Sequence, residues 1–220
     1  MSKLIRYCGV SERMVVGGAK YCRWPESVLR YCIRDQHPQM EQSQFEAGIL
    51  WAIEQIASTF QLDFERVDKP KDAHILHTVA NIDAPGMVLA DAFLVPCGIK
   101  KNNQFQSVIR YDALDKFTAE KRVKVAMTFD VGEVSLHEQT HSLGCPHIDT
   151  PRKKPALMNA AYNPQISGYQ EGDIDALVKL GYAIRVKEEP KPKPTPGKTF
   201  NELFRYSMGI GDLVLGLETR

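Results

Sequence analysis

From Ser43 to Phe60 the apolar side chains Phe45, Ile49, Ile53, Ile56 and Phe60 return every three or four residues, the period of one buried helix face. Trp51 and Glu54 fall elsewhere on that wheel, and Ser43 with Glu46 matches a capping box at its start. Other stretches alternate or run apolar over short lengths and predict strands: Val28 to Ile33, Leu62 to Val67, Ala73 to Val79, Met87 to Val95 and Ser107 to Tyr111. Lys124 to Thr128 reads either as a strand or as the lead-in to a second helix, for which Asp130 is the N-cap and Glu133 the matching acid three residues on. A third helix, Glu171 to Leu180, turns Ile174, Leu177 and Val178 inward and stops at Gly181. Strands come first with one helix among them, and helices follow, which is an α+β order.

The second helix carries the chemistry. His137, Glu138, His141, Gly144 and His147 stand at the spacing H-E-x-x-H-x-x-G-x-x-H. Residues four apart share a helix face, so His137 and His141 point the same way. Glu138 lies where its carboxylate can reach a metal-bound water. Gly144 can take the left-handed conformation that turns a chain off a helix end, and so bring His147 round as a third ligand. Three protein ligands and one open position describe a catalytic zinc site, whereas four closed ligands describe a structural one. Five fixed positions coincide by chance on the order of once in ten thousand chains of this length.

The 220 residues are enough for one domain and a tail, and the formal net charge of +1 makes no electrostatic case for nucleic acid. No apolar run approaches membrane-spanning length. Met1 to Ala19 is broken by Arg6, Glu12 and Arg13 and lacks the uninterrupted apolar centre of a secretory signal. The expectation is a protein that is cytoplasmic by default, that leaves by a non-standard route, or that is already processed. Cys8, Cys22, Cys32, Cys97 and Cys145 form no CxxC pair; two bridges and one thiol are compatible with five cysteines, a full disulfide framework is not. The domain organisation reads as a lead-in over 1–23, a metal-binding domain over 24–185, a Pro/Lys-rich spacer over 186–198 and a segment over 199–220 that packs back or docks on a partner.

With these residues in view, the chain resembles the metzincin metallopeptidases and, within them, the matrixins. HEQTHSLGCPH matches their zinc signature, and Pro155-Ala156-Leu157-Met158 resembles their Met-turn, in which Met158 would form an apolar floor under the metal. Tyr162 falls where matrixins place a tyrosine in the wall of the primed-side pocket, and Ala84 to Ala90 looks like the edge strand of the substrate cleft, with Leu89 and Ala90 against the peptide. The resemblance implies a twisted, mostly parallel small sheet, three main helices and a zinc cleft between upper and lower subdomains. It implies one catalytic Zn2+ on His137, His141 and His147, Glu138 as general base, and a protein or peptide substrate. Asp91 and Arg110 stand where matrixins usually carry histidines of a second, structural zinc, so none is expected, and His74 and His77 read as ordinary strand residues. Asn159 and Ala160 replace the usual Tyr-Pro after the Met-turn, and Arg152, Lys153 and Lys154 lengthen the preceding loop. Arg6 to Glu12 faintly resembles the family's inhibitory segment, which makes Cys8 a candidate inhibitory thiol. Cys145 reads as a small buried apolar side chain. Two other functions share these residues: a zinc amidase acting on cell-wall peptides, and a structural or assembly protein that keeps the zinc site as a staple.

Overall fold

A computed structural model of the protein describes residues 8, 22–95, 97–98, 105–121, 125–148 and 155–186. Five strands form one sheet: β1 (Val28–Ile33), β2 (Asp63–Arg66), β3 (Ile75–Ala80), β4 (Ala90–Ala92) and β5 (Ser107–Asp112), in the order β2-β1-β3-β5-β4. Every pairing is parallel except β4 on β5, where Asp91 faces Arg110. A second, two-stranded parallel sheet joins β6 (Lys116–Thr118) to β7 (Thr128–Asp130). Three helices complete the fold: α1 (Gln42–Thr59), α2 (Val131–Ser142) and α3 (Glu171–Lys179). This is the mostly parallel α+β arrangement expected. β6 carries no run long enough to signal a strand; of the ambiguous stretch Lys124 to Thr128, Lys124 lies outside the described residues, Val125 to Met127 lead into β7, and Thr128 begins it.

The α1 face of Phe45, Ile49, Ala52, Ile53 and Ile56 is buried as its period predicts. Gly48 lies on that face too, and a Cβ there would stand 2.3 Å from Val131 Cγ1, so α1 meets the start of α2 only because this side chain is absent. The predicted capping box does not form. The N-cap is Glu41, and Glu46 instead accepts from Gln42 Nε2 at 2.7 Å and from Arg66 of β2 at 2.8 Å. Met87 to Val95 is not one long strand: only Ala90–Ala92 pair with β5, and side chains hold the turn before β4. Asp115 accepts from Gly86 N, Asp112 from Asp83 N and Asp83 from Val88 N. On α3, Leu177 is buried but Val178 is 42% exposed; the inward stripe runs through Asp173 and Leu177, one turn apart.

One disulfide, Cys22–Cys97, joins the segment before β1 to the chain after β4, while Cys32 and Cys145 are buried thiols. The alternative of two bridges is not realised. The chain divides into two units, Met1–Arg185 and Val186–Arg220; the Pro/Lys-rich spacer and the segment 199–220 lie outside the described residues. No described helix is long and apolar enough to cross a membrane. The disulfide closes a loop of 75 residues in the unfolded chain. Replacing both Cys22 and Cys97 by Ser should therefore cost about 2–4 kcal/mol, read as a lower thermal midpoint that added reductant no longer changes.

Candidate active site

Every residue of α2 is buried, although most are polar. Each such side chain has to find a partner inside the protein or lose the hydrogen bonds that water would give it. Asp130 Oδ1 caps the helix, accepting from Gly132 N at 2.9 Å and Glu133 N at 3.2 Å. Glu133 does not close the reciprocal half of a capping box; its carboxylate accepts from Gly168 N instead. Ser135 accepts from the Tyr111 hydroxyl and from Gln139, and Ser142 accepts from Ser107 of β5. The far end of the helix is closed by two distant aromatics. Trp24 Nε1 donates to Ser142 O at 2.8 Å, and the Tyr182 hydroxyl donates to Leu143 O at 2.9 Å. Gly144 then takes φ +92°, and a Cβ on it would lie 2.4 Å from Cys22 O, so both conformation and space demand glycine.

That turn brings three imidazoles together. His141 Nε2 lies 3.1 Å from His137 Nε2 and 3.2 Å from His147 Nε2. The opposite nitrogens of two rings face carbonyl oxygens, His137 Nδ1 on Leu157 O at 2.8 Å and His141 Nδ1 on Cys145 O at 2.7 Å. A carbonyl only accepts, so each Nδ1 carries the ring proton and each Nε2 turns a lone pair inward. Burial also pushes His137 down to about 4 and His141 well below its ordinary value, which disfavours a proton shared among them. Facing lone pairs call for a cation. Nitrogens about 2.0–2.1 Å from a tetrahedral zinc are roughly 3.3 Å apart, close to the separations found, so the three rings fit that ion.

The Met-turn is held by a residue that the sequence pattern placed only at the start of a helix. Asp173 accepts from Leu157 N at 2.9 Å, Met158 N at 3.0 Å and Gln170 N at 2.8 Å. It thereby fixes the Leu157 carbonyl that orients His137, and Met158 beside it is fully buried. Tyr162 donates nothing to the histidines; its hydroxyl accepts from Asp130 N at 3.1 Å, and its ring stands edge-on to Phe129. A cavity beside Glu138 is lined by Leu89, Val134, Leu157, Tyr162 and Ile166, with Cys8 and Ala160. Ala90 opens β4, the edge of the sheet, although its own side chain is buried.

Cys8 belongs to the site. Its thiol donates to Glu138 Oε1 at 2.8 Å and its backbone N–H donates to Ala160 O at 2.9 Å. Its Sγ and one ring nitrogen of each of His137, His141 and His147 all lie within 4.8 Å of one another, a four-donor cluster. Burial pushes the Glu138 carboxyl up to about 8 against the lowering effect of the Cys8 hydrogen bond. Glu138 Oε2 is buried and has no hydrogen-bond partner among the described residues. Cys145 contributes its carbonyl rather than its sulfur; burial pushes its thiol up to about 12.

The residues considered for a second metal are engaged otherwise. Arg110 pairs with Asp91 through both ends of its guanidinium, His77 Nδ1 meets the Tyr111 hydroxyl at 3.1 Å, and His74, just before β3 rather than in it, accepts from Arg30 N at 3.0 Å. Arg152, Lys153 and Lys154 lie outside the described residues.

Three converging imidazoles on a helix and its following turn, a carboxylate next to the first, and an α+β frame define a metallopeptidase domain. The profile of the family described as Matrixin matches residues 23–181, and the chain belongs to that family, whose members are zinc-dependent peptidases. No curated protein matches the chain closely enough to count as a relative.

The hydrogen bonds of Asp173 make its removal costly, because two buried N–H groups and one partly buried N–H lose their acceptor. At about 1–3 kcal/mol for each buried group left unsatisfied, Asp173→Ala should lose at least about 2 kcal/mol of unfolding free energy in urea. It should also weaken zinc retention in a chelator competition, since His137 loses the carbonyl that orients it. An unchanged zinc affinity would separate the Met-turn from the metal site.

Proposed function

We propose that the chain is a zinc endopeptidase whose catalytic position is closed by its own Cys8. One observation carries the reading: three ring nitrogens, two of them with lone pairs turned inward, converge beside a buried carboxylate whose one oxygen receives the Cys8 thiol. Zinc on His137, His141 and His147 supplies a Lewis acid that acidifies water and offsets negative charge at the scissile carbonyl oxygen. Glu138 takes the proton of the attacking water and passes it to the leaving amine nitrogen. An extended peptide adds to the open edge of β4 near Leu89 and Ala90, where backbone pairing gives affinity and side-chain pockets give selection. Met158 underlies the site as an apolar floor, and Tyr162 walls the cavity. Cys8 opposes all of this: its proton occupies the acceptor that Glu138 needs, and a thiolate there would fill the position required by water.

The same cysteine supports a second reading, because four protein donors describe a closed, structural site. The two readings part on one comparison. With zinc loaded, Glu138→Ala should lower kcat/KM in a peptide-library digest about 10²- to 10⁴-fold at unchanged zinc content. Cys8→Ser should retain zinc and raise basal cleavage by about tenfold or more, the factor for roughly 1.4 kcal/mol of lost obstruction. If Cys8→Ser instead releases zinc and no variant cleaves any peptide, the site is a staple. The Cys22–Cys97 bridge supports work in an oxidising compartment, in place of the cytoplasmic default.

A further inference from the structure

The cavity beside Glu138 has apolar walls and one buried acid. Leu89, Val134, Leu157, Ile166 and Tyr162 line it, and so does Glu133, which is only 6% exposed. Glu133 precedes His137 by one helical turn and so shares its face of α2.

Glu133 shares its cation with a second buried acid, because Lys121 is divided between Glu133 and Asp130. Its Nζ lies 3.2 Å from Asp130 Oδ1 but 3.9 Å from Glu133 Oε1, and it sits over the Trp51 ring at 3.2 Å. Asp130 is further engaged in capping α2. Two carboxyl groups share one ammonium, and burial pushes both above the usual carboxylate range, so an arriving cation would favour the ionised form of Glu133. Gly168 N–H and the Ser167 hydroxyl occupy part of the Glu133 carboxylate. A carboxylate offers about four acceptor sites, so capacity remains.

We propose that Glu133 makes this cavity a subsite for a long cationic side chain, Lys or Arg, of a substrate residue flanking the scissile bond. The apolar walls take the methylene stem while the carboxylate takes the charged tip, the division such side chains make at other half-apolar surfaces. Arg gains most, because its planar fork matches a carboxylate. The assignment rests on the endopeptidase reading for its biological meaning, but peptide binding tests it separately.

The test uses the full-length, zinc-loaded chain carrying Cys8→Ser and Glu138→Ala, which keeps the three histidines and cannot turn over. Fluorescence anisotropy compares labelled peptides that differ only in Arg, Lys, Leu or Glu at one central position. Arg and Lys peptides should bind about tenfold or more tighter than Leu, in line with a charge-assisted hydrogen bond, and Glu peptides weakest. Adding Glu133→Gln, which keeps an acceptor for Gly168 N but removes the charge, should erase the Arg-over-Leu preference while zinc content and thermal midpoint hold. A Leu preference in the parent, equal binding of all peptides, no binding at all, or an Arg preference that survives Glu133→Gln would each overturn the assignment. Cleavage by the Cys8→Ser chain with Glu138 intact is scored independently: charge-selective binding without cleavage sinks the endopeptidase reading and leaves the subsite standing.

Discussion

Three imidazole nitrogens that converge on one point have to be held there by the protein. For two of the rings it does so through their other side. The carbonyls of Leu157 and Cys145 fix the protons of His137 and His141 on Nδ1, and the left-handed turn at Gly144 returns His147 to the same point. The hydrogen bonds around His137 and His141 thus present a donor nitrogen of each ring to an ion.

Each support leads away from α2 to a distant part of the chain. Leu157 is placed by Asp173 on α3, and Cys145 and Gly144 by the closed end of α2, where Trp24 and Tyr182 donate to its last carbonyls. Trp24 N–H in turn donates to the Tyr182 hydroxyl, and the neighbouring Cys22 is bridged to Cys97. The segment before β1, the chain after β4 and the residues after α3 thus meet behind the third histidine. Burial of a polar helix demands this: α2 cannot leave the solvent unless other elements satisfy it.

The open side of the site is governed by charge rather than by packing. Cys8 reaches Glu138 and the histidines from far away in sequence, and its backbone is tied only at Ala160 O among the described residues. Deeper in, Glu133 and Asp130 share one lysine. The site thus contains two acids with different surroundings. Glu138 lies against the metal donors and the thiol, whereas Glu133, about one turn earlier on α2, lines an apolar cavity.

The chain by itself determined the local features. The period of α1, the spacing of His137, Glu138 and His141, the cap at Asp130 and the left-handed turn at Gly144 all follow from geometry within a few residues, which sequence spacing encodes directly. The strands β1 and β5 were legible for the same reason, and the family likeness rested on these short motifs. Contacts across long separations were not legible. That Ser43 and Glu46 leave a capping box unused, that Val178 faces outward, that Asp83, Asp112 and Asp115 hold the turn before β4, and that Cys22 pairs with Cys97 all depend on which elements become neighbours. The same holds for Cys8 on Glu138 and for Asp173 under Met158. A side chain's partner is chosen by folding in three dimensions, where the alternatives differ by only a few hydrogen bonds, and spacing along the chain carries no record of that choice.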